Sequence, residues 1–463
     1  MKGHNMSPIP SRSRRAALVF AASLAVLLGG TGCSFLTPGA ASDSEVQYEP
    51  GKKLTTDDVA ALGDVTLRIT DGGDAGPDSR LSQTIAKFEE DFPNITVKRD
   101  VKAFGDYSKT INLVMSGDDA PDIAEADGAM APRLYAGKLL RPIDDYFDEY
   151  GWEDRYPSTI LSSLKIEPDG KSYGTGEYWG VTTGGELVGV YYNAAKLEEA
   201  GLQIPTTFDE FESALATLHD KGEVPIQLGN LDQWSGSHVF STMLNNFQDP
   251  QTTQDWINGQ SGATFETDGV AEALGTFKNW FTNGYISDQA NGILDDDAVV
   301  AFTEGQGAFL ITGTWRTADV STALGDDGGF MLMPPMEAGG QSHATGSYQG
   351  TYSISSKSEN ADLAAFFLDY ITGPTAASFN ETGDFLGFTG STTAPEGSVA
   401  EDVLNSWNDA LEDNGLVGYL DSAAPAMGDS LFPKLQELMA GQQTPEQVMV
   451  AVQSTWDSYR QGS

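Results

Sequence analysis

At 463 residues the chain is too long for one ordinary hydrophobic core, so two lobes or domains are expected. Hydrophobic residues make up 40% of it and Trp occurs eight times, which is the composition of a well-packed globule. The formal net charge of −41 excludes a nucleic-acid partner, because a polyanion is repelled and no basic stripe exists to release counterions; the charge otherwise reads as a device for solubility.

Arg12, Arg14 and Arg15 precede an uncharged run from Ala16 to Gly32 that closes on small residues and Cys33, the arrangement of a signal peptide over 1–32. The run falls short of the roughly 20 apolar residues of a membrane-spanning helix. Cys33 is the single cysteine, so no intramolecular disulfide can form. Its place after Gly30, Thr31 and Gly32 looks like a lipobox, whose Cys carries the lipid anchor, with Gly30 standing where that pattern usually has Leu. Arg14 and Arg15 after Ser13 admit a twin-Arg export route alongside Sec. Residues 33–60, poor in large apolar groups after the Cys, read as a flexible tether.

Folded structure is expected to begin near Val65. Val65 to Thr70 reads as a strand, Asp78 to Asp91 as a helix with Leu81, Ile85 and Phe88 on one face, and Ile95 to Val101 as a strand. A helix around Tyr107 to Met115 and a strand at Asp122 to Ala126 continue the alternation, which predicts a parallel-rich sheet with helices on both sides. A second series follows Tyr178: strand Leu187 to Tyr192, helix Thr207 to Leu218 bearing Phe208, Phe211 and Leu215, buried strands at Val224 to Leu228 and Ala308 to Thr312, and an amphipathic helix Val270 to Phe281. The tail from Val403 to Tyr459 is mainly helical, with Pro425, Pro433 and Pro445 marking starts and breaks.

The stretch AFTEGQGAFLITGTW at 301–315 carries most information. Phe302, Phe309, Leu310 and Ile311 belong to a core, and Gly305, Gly307 and Gly313 let the backbone turn, so Trp315 is delivered to a strand end, where α/β folds bind small ligands. This segment resembles the signature of the extracellular solute-binding proteins of ABC importers, family 1 or sugar-binding type, with Phe309 where that pattern usually has Met. SGDDAPDIAEAD at 116–127, GKLLRPIDDYF at 137–147, YWGVTTGGELVGVYYNAAKLEEAGLQIPTTFDEF at 178–211 and ISSKSENADLAAFFLDYIT at 354–372 resemble the same family in the same order. The resemblance implies a two-lobed, periplasmic-binding-protein-like α/β fold of type II, each lobe a sheet flanked by helices, with a ligand cleft between. The crossings are expected near Thr183 to Glu186, Gly346 to Tyr352 and Gly383 to Phe388, giving a first lobe of 61–183 plus 352–385 and a second of 184–351 plus 386–463.

A sugar presents C–H faces that stack on aromatic rings and hydroxyls that need fixed partners, so Trp or Tyr plates edged by carboxylates are the expected site. Trp315 is the first plate, since the family places its signature Trp in the cleft. Trp234, in QLGNLDQWSGSH, is a second plate or an ordinary core Trp, and Tyr348, between Gly346 and Gly350, is a third plate or a surface Tyr. Asp127 follows a strand whose Glu125 lies on the same face, so either can point inward. Glu186 falls at the first crossing, where Gly184 and Gly185 suit a bending hinge. Asp71 and Asp74, in TDGGDAGP, lie in a Gly-rich loop able to offer backbone N–H groups and a carboxylate, or in a plain turn before a helix.

Gly170-Lys171-Ser172-Tyr173-Gly174 matches G-x-S-x-G by letter, but Glu167, Pro168 and Asp169 make a surface turn where a buried strand must deliver the Ser. Position 165 is Lys, not the Gly a phosphate loop requires. The four His form no metal-spaced cluster, and Asp295, Asp296 and Asp297 lack EF-hand spacing and read as a solvated helix start. The expected function is capture of a sugar, an oligosaccharide foremost, by cleft closure and delivery to the transmembrane subunits of an ABC permease, with no chemistry and no cofactor or metal. The chain is expected to be a monomer held by its lipid on the extracellular face of the cytoplasmic membrane. A secreted glycoside hydrolase and a receptor for a non-sugar solute such as a peptide or polyamine are the alternatives, since the spatial separation of carboxylates is hidden in sequence.

Overall fold

The computed structural model describes residues 48–463 apart from 74–75, 77–78, 128–129, 157, 378–385, 387–393, 413–414 and 462–463. The signal peptide, Cys33, the tether up to residue 47 and Asp74 therefore lie outside the described residues. Among the described residues no helix is long and apolar enough to cross a membrane.

The strands, in chain order, are β1 (Val65–Asp71), β2 (Ile95–Val101), β3 (Ile123–Glu125), β4 (Lys165–Ile166), β5 (Glu177–Tyr178), β6 (Val181–Asn193), β7 (Ile226–Gln227), β8 (Phe309–Gly313), β9 (Gly328–Met331), β10 (Ala344–Ile354) and β11 (Leu416–Val417). β4 and β5 form a hairpin of their own. The other nine make one sheet of order β2-β1-β3-β10-β6-β8-β7, with β9 on β6 and β11 on β10. β1 pairs parallel with β2 and β3, and β7 with β8, as alternating strands and helices require. The centre is antiparallel: β10 runs against both β3 and β6, and β6 against β8. The sheet is thus mixed where a parallel-rich one is predicted, because its central strands come from chain segments that pass between the two halves and need no helical crossover.

Local sequence accounts for several helix starts. Ser79, Thr207 and Thr267 accept a backbone N–H from the third residue onward and cap helices Arg80–Asp91, Phe208–Asp220 and Asp268–Thr282. Each buries the apolar face that its spacing predicts, Ile85 and Phe88 in the first, Phe211, Leu215 and Leu218 in the second, Val270, Leu274 and Phe277 in the third. Pro433 breaks no helix, since it lies within Met427–Met439, where burial of Met427, Leu431, Leu435 and Leu438 offsets the one backbone bond it removes. The expected tether also ends early. Thr55 and Asp58 form a capping box, helix Thr56–Ala60 buries Val59 completely, and the Gly51 and Lys52 N–H groups bond the carboxylates of Asp145 and Asp362.

Among the described residues three hydrophobic clusters form the core, and the long strands pass from one to another. Val181 at the start of β6 packs in a first core with Leu67, Phe88, Ile123 and Phe367, whereas Val188 and Val190 join Phe211, Phe240 and Phe309 in a second. Leu187 and Tyr191, on the opposite face of β6, pack with Phe330, Val403 and Trp407 in the third. On β10, Ala344 belongs to the third core and Tyr348, Tyr352 and Ile354 to the first. Gly185 sits at this changeover. Its backbone N–H donates to Leu386 O at 2.7 Å and its carbonyl accepts from Leu386 N at 3.1 Å, and a Cβ there would collide with the Trp407 indole. Close approach, not torsional freedom, is what requires this glycine.

Gly185→Ala should therefore destabilise the fold by about 1–3 kcal/mol, the usual cost of overpacking. Chemical denaturation is the check, and a variant as stable as the parent would show that Trp407 moves aside freely.

Candidate functional site

β1 and β3 are parallel neighbours, so the loops that follow them leave the sheet at one edge. Asp71 closes β1 and is fully buried. Arg99, on β2, grips it with both arms, Nε to Oδ2 and Nη2 to Oδ1 at 2.7 Å each, and the Gly73 N–H adds a bond of 2.9 Å. Both carboxylate oxygens are engaged within the protein, so Asp71 holds the loop in shape. Glu125, the last residue of β3, accepts the Gly72 N–H at 2.6 Å. Asp127 accepts the N–H groups of Gly350 and Thr351 at 3.1 and 2.9 Å, which staples the end of β3 to β10.

Burial, and after it the charge of Asp127, pushes the Glu125 carboxyl well above the usual range. Burial raises Asp127 too, but the hydrogen bonds it receives from Glu125, Thr351 and Gly350 oppose that rise. The two carboxylates therefore titrate as a pair, both raised by burial and Glu125 further by the charge of its neighbour.

Glu186 lies on β6 directly opposite Ser347 of β10, at the changeover between cores. The Tyr419 hydroxyl donates to its Oε1 at 3.0 Å. Burial pushes Glu186 up to about 8; the bond from Tyr419 opposes this and the charge of Asp127 adds to it. At neutral pH it is a neutral acid with an O–H to donate. Tyr348, next along β10, is nearly buried, with its ring 6.0 Å from that of Trp179 and within the field of Asp127. Tyr348 and Tyr419 line a cavity of about 360 Å³ shared with Ser163, Tyr173, Gln254 and Ser347, of the size small ligands occupy. The Tyr173 hydroxyl there is buried without a hydrogen-bond partner, so a guest hydroxyl would complete it.

The aromatic wall comes from two elements of the second half. β8, buried along its whole length, ends at Gly313 and turns directly into the short 3₁₀ segment Thr314–Arg316 that carries Trp315. A Cβ on Gly313 would collide with the Trp315 ring, so the glycine lets the indole fold back over the strand end. Trp234 opens helix Trp234–Leu244 and meets Trp315 edge-on at 6.1 Å. His238, one turn further along, lies 5.0 Å from Trp234 and 5.6 Å from Trp315 and stacks on Tyr419 at 4.9 Å. Loss of hydration among these rings holds the His238 pKa down to about 3, so its imidazole is neutral. Both Trp residues are only half-buried, which leaves indole surface free for a guest.

Two groups result: Trp234, Trp315, His238, Tyr419 and Glu186 in successive contact, and Asp127, Glu125 and the Gly72 backbone, whose Asp127 lies within the electrostatic field of Glu186 and Tyr348. Of the residues singled out in the sequence, Glu125, Asp127, Glu186, Trp234, Trp315 and Tyr348 come together here, Asp71 stands behind them as the partner of Arg99, and Asp74 lies outside the described residues. His238, Tyr419 and Tyr173 escape the sequence reading. His238 had a readable signal, its helical i, i+4 spacing from Trp234. Tyr419 had none, since its partner Glu186 is 233 residues away. Ser172 of the G-x-S-x-G match lies in the hairpin turn, its carbonyl accepting the Glu167 N–H at 2.9 Å.

The family model described as "Bacterial extracellular solute-binding protein" matches residues 72–378. The multiple sugar-binding protein of Streptococcus mutans is 24% identical over 317 residues, which cover 64% of this chain and 68% of that protein. Among solved structures, a chitin oligosaccharide binding protein superposes with a TM-score of 0.72 at 22% identity, covering 86% of this chain and all of the other. The binding protein RafE in complex with raffinose superposes with a TM-score of 0.64 at 19% identity, covering 84% and 99%. At such identities the structural likenesses establish the fold, and they bear out the two-lobed α/β class.

Glu186 titrates near 8 in the folded chain and near the ordinary 4.5 in the unfolded one, so between those values the folded state binds the extra proton. Stability from this group is therefore lost as pH rises from about 4.5 to about 8. Glu186→Gln removes that dependence, and its melting temperature should gain on the parent steadily from about pH 5 to about pH 8. A difference that does not change with pH would contradict the raised titration.

Proposed function

We propose that this chain, which belongs to the bacterial extracellular solute-binding protein family, is the sugar receptor of an ABC importer, an oligosaccharide being its guest. The observation that carries the reading is the pair of part-exposed indoles that reach Glu186 through His238 and Tyr419, with Asp127 close enough for its charge to act on Glu186. A pyranose ring stacks its C–H face on Trp315 and Trp234. Its hydroxyls bond the carboxyl groups of Asp127 and Glu186, and Glu186, raised to about 8, offers an O–H as donor. Tyr348 and Tyr173 receive the part of the guest that reaches into the neighbouring cavity.

Magnitudes favour enclosure over a surface patch. Micromolar capture needs about 8 kcal/mol, and ligands of this size yield roughly 0.3 kcal/mol per heavy atom. A disaccharide of about two dozen heavy atoms must then be gripped almost on all sides. Asp127 belongs to the half built on β1 to β3 and Trp315 to the half built on β8, so a sugar that touches both stabilises the closed arrangement by the contacts that the open one lacks. The permease's transmembrane subunits then read the closed form. Cys33 carries the lipid that keeps the monomeric receptor at the extracellular face of the cytoplasmic membrane.

A thermal-shift screen over mono- and oligosaccharides should find guests that raise the melting temperature, because a guest of the folded state alone stabilises it. For such a guest Trp315→Ala should weaken binding by about 1.5–3 kcal/mol in calorimetric titration, the scale of losing one buried ring. Undiminished affinity would remove Trp315 from the site.

A further inference from the structure

Neither indole of the aromatic wall is held by its own ring alone. Trp234 is followed by Ser235 and Trp315 by Arg316, and these two neighbours meet on one carboxylate. Ser235 Oγ donates to Asp295 Oδ1 at 3.1 Å, and Arg316 Nη2 donates to Asp295 Oδ2 at 2.6 Å. Asp295 is the first residue of helix Asp295–Thr303 and is only 5% exposed. Arg316 also bonds Asp296 and reaches Asp319 at 3.5 Å; of the acidic run Asp296 and Asp297 are exposed at the helix start, and Asp295 alone is buried beneath the guanidinium. The backbone ahead of Trp234 is constrained as well. Gln233 has φ +73°, a left-handed conformation that a residue with a side chain seldom adopts, and its amide is tied to Gln436 Oε1 at 2.9 Å. Strain of this kind persists only where the surroundings over-determine it, and here it ends at a ligand-facing Trp.

We propose that Asp295 is a positioning residue, a clamp that joins Ser235 to Arg316 and so fixes the edge-on angle at which Trp234 and Trp315 face a guest. The inference rests on the reading of these indoles as sugar plates. Each oxygen of the carboxylate takes one of the two chain segments, so removing it frees both Trp-bearing turns at once and leaves Arg316 with the exposed carboxylates of Asp296 and Asp319. A merely structural ion pair would lower stability without any particular effect on the indoles.

The test separates these roles. The near-UV circular dichroism of the indole pair is the difference between the parent and Trp234→Phe, a readout that needs no sugar. In an Asp295→Ala background the same difference should fall to less than about half, as expected for two coupled sites. Calorimetric titration with xylotriose, raffinose and N,N′-diacetylchitobiose supplies the second arm. For whichever of these the parent binds, Asp295→Ala should weaken binding about tenfold in the parent and by no more than about twofold in a Trp234→Ala/Trp315→Ala background. An unchanged dichroism difference, or an equal loss in both backgrounds, overturns the clamp. If Asp295→Ala does not fold, Asp295→Asn and Arg316→Gln carry the same comparison, each cutting the charged contact while leaving a polar side chain. Should Trp315→Ala bind these sugars as the parent does, the plate reading fails, and the dichroism arm still decides whether Asp295 sets the pair.

Discussion

The antiparallel pairing of β6 with β10, from Thr345 opposite Val188 to Tyr352 opposite Val181, is the constraint on which the rest of the molecule depends. These two strands are long enough to begin in one hydrophobic core and end in another, and every site element is measured from them. Glu186 sits on one, opposite Ser347 on the other. Asp127 is fastened to the Gly350 and Thr351 N–H groups of β10, and β8, which delivers Trp315, pairs with the far half of β6. Two cores thus share a seam, and the polar groups that neither core can bury are gathered along it.

That placement explains the electrostatics. Near the three carboxylates of the seam, Arg99 is committed to Asp71 and Arg80 Nη1 donates to the Thr183 carbonyl at 3.0 Å. Enclosed together they resist ionisation: burial raises Glu125, Asp127 and Glu186 alike, and the hydrogen bonds that Asp127 receives oppose its rise. The outcome is a mixed row of donors and acceptors with little net charge, and such a row suits polyhydroxylated guests, whose every hydroxyl can give and take a hydrogen bond. Neutral His238 completes a wall of rings that adds no charge of its own.

How much of this was legible in the sequence follows from the range of each interaction. Trp315 was readable because the turn that delivers it is encoded within a few residues: Gly305 and Gly307 at positive φ, a wholly apolar β8, then Gly313. The caps at Ser79, Thr207 and Thr267 and the apolar helix faces are equally local. Glu186 and Asp127 were readable as candidates at strand ends, but not their protonation, which depends on their nearness in space. The pairing of Asp71 with Arg99 spans 28 residues and requires the register of β1 on β2, which periodicity does not supply. Arg316 and Asp295 stand 21 apart on different elements, so the buried pairing of Asp295 could not be read from the acidic run. Gly185 was expected to serve as a flexible joint, and its neighbour Trp407, 222 positions away in the chain, gives it a different purpose.

A two-sided grip accounts for why the carboxylates and the indoles, contributed by different halves, converge on one line. The most direct test is a crystal structure of the chain with a bound oligosaccharide, chosen by its thermal shift. The account predicts one sugar ring lying flat on Trp315 with hydroxyls on both Asp127 and Glu186. A guest seated elsewhere, or one that touches the indoles without any contact to Asp127, would contradict it.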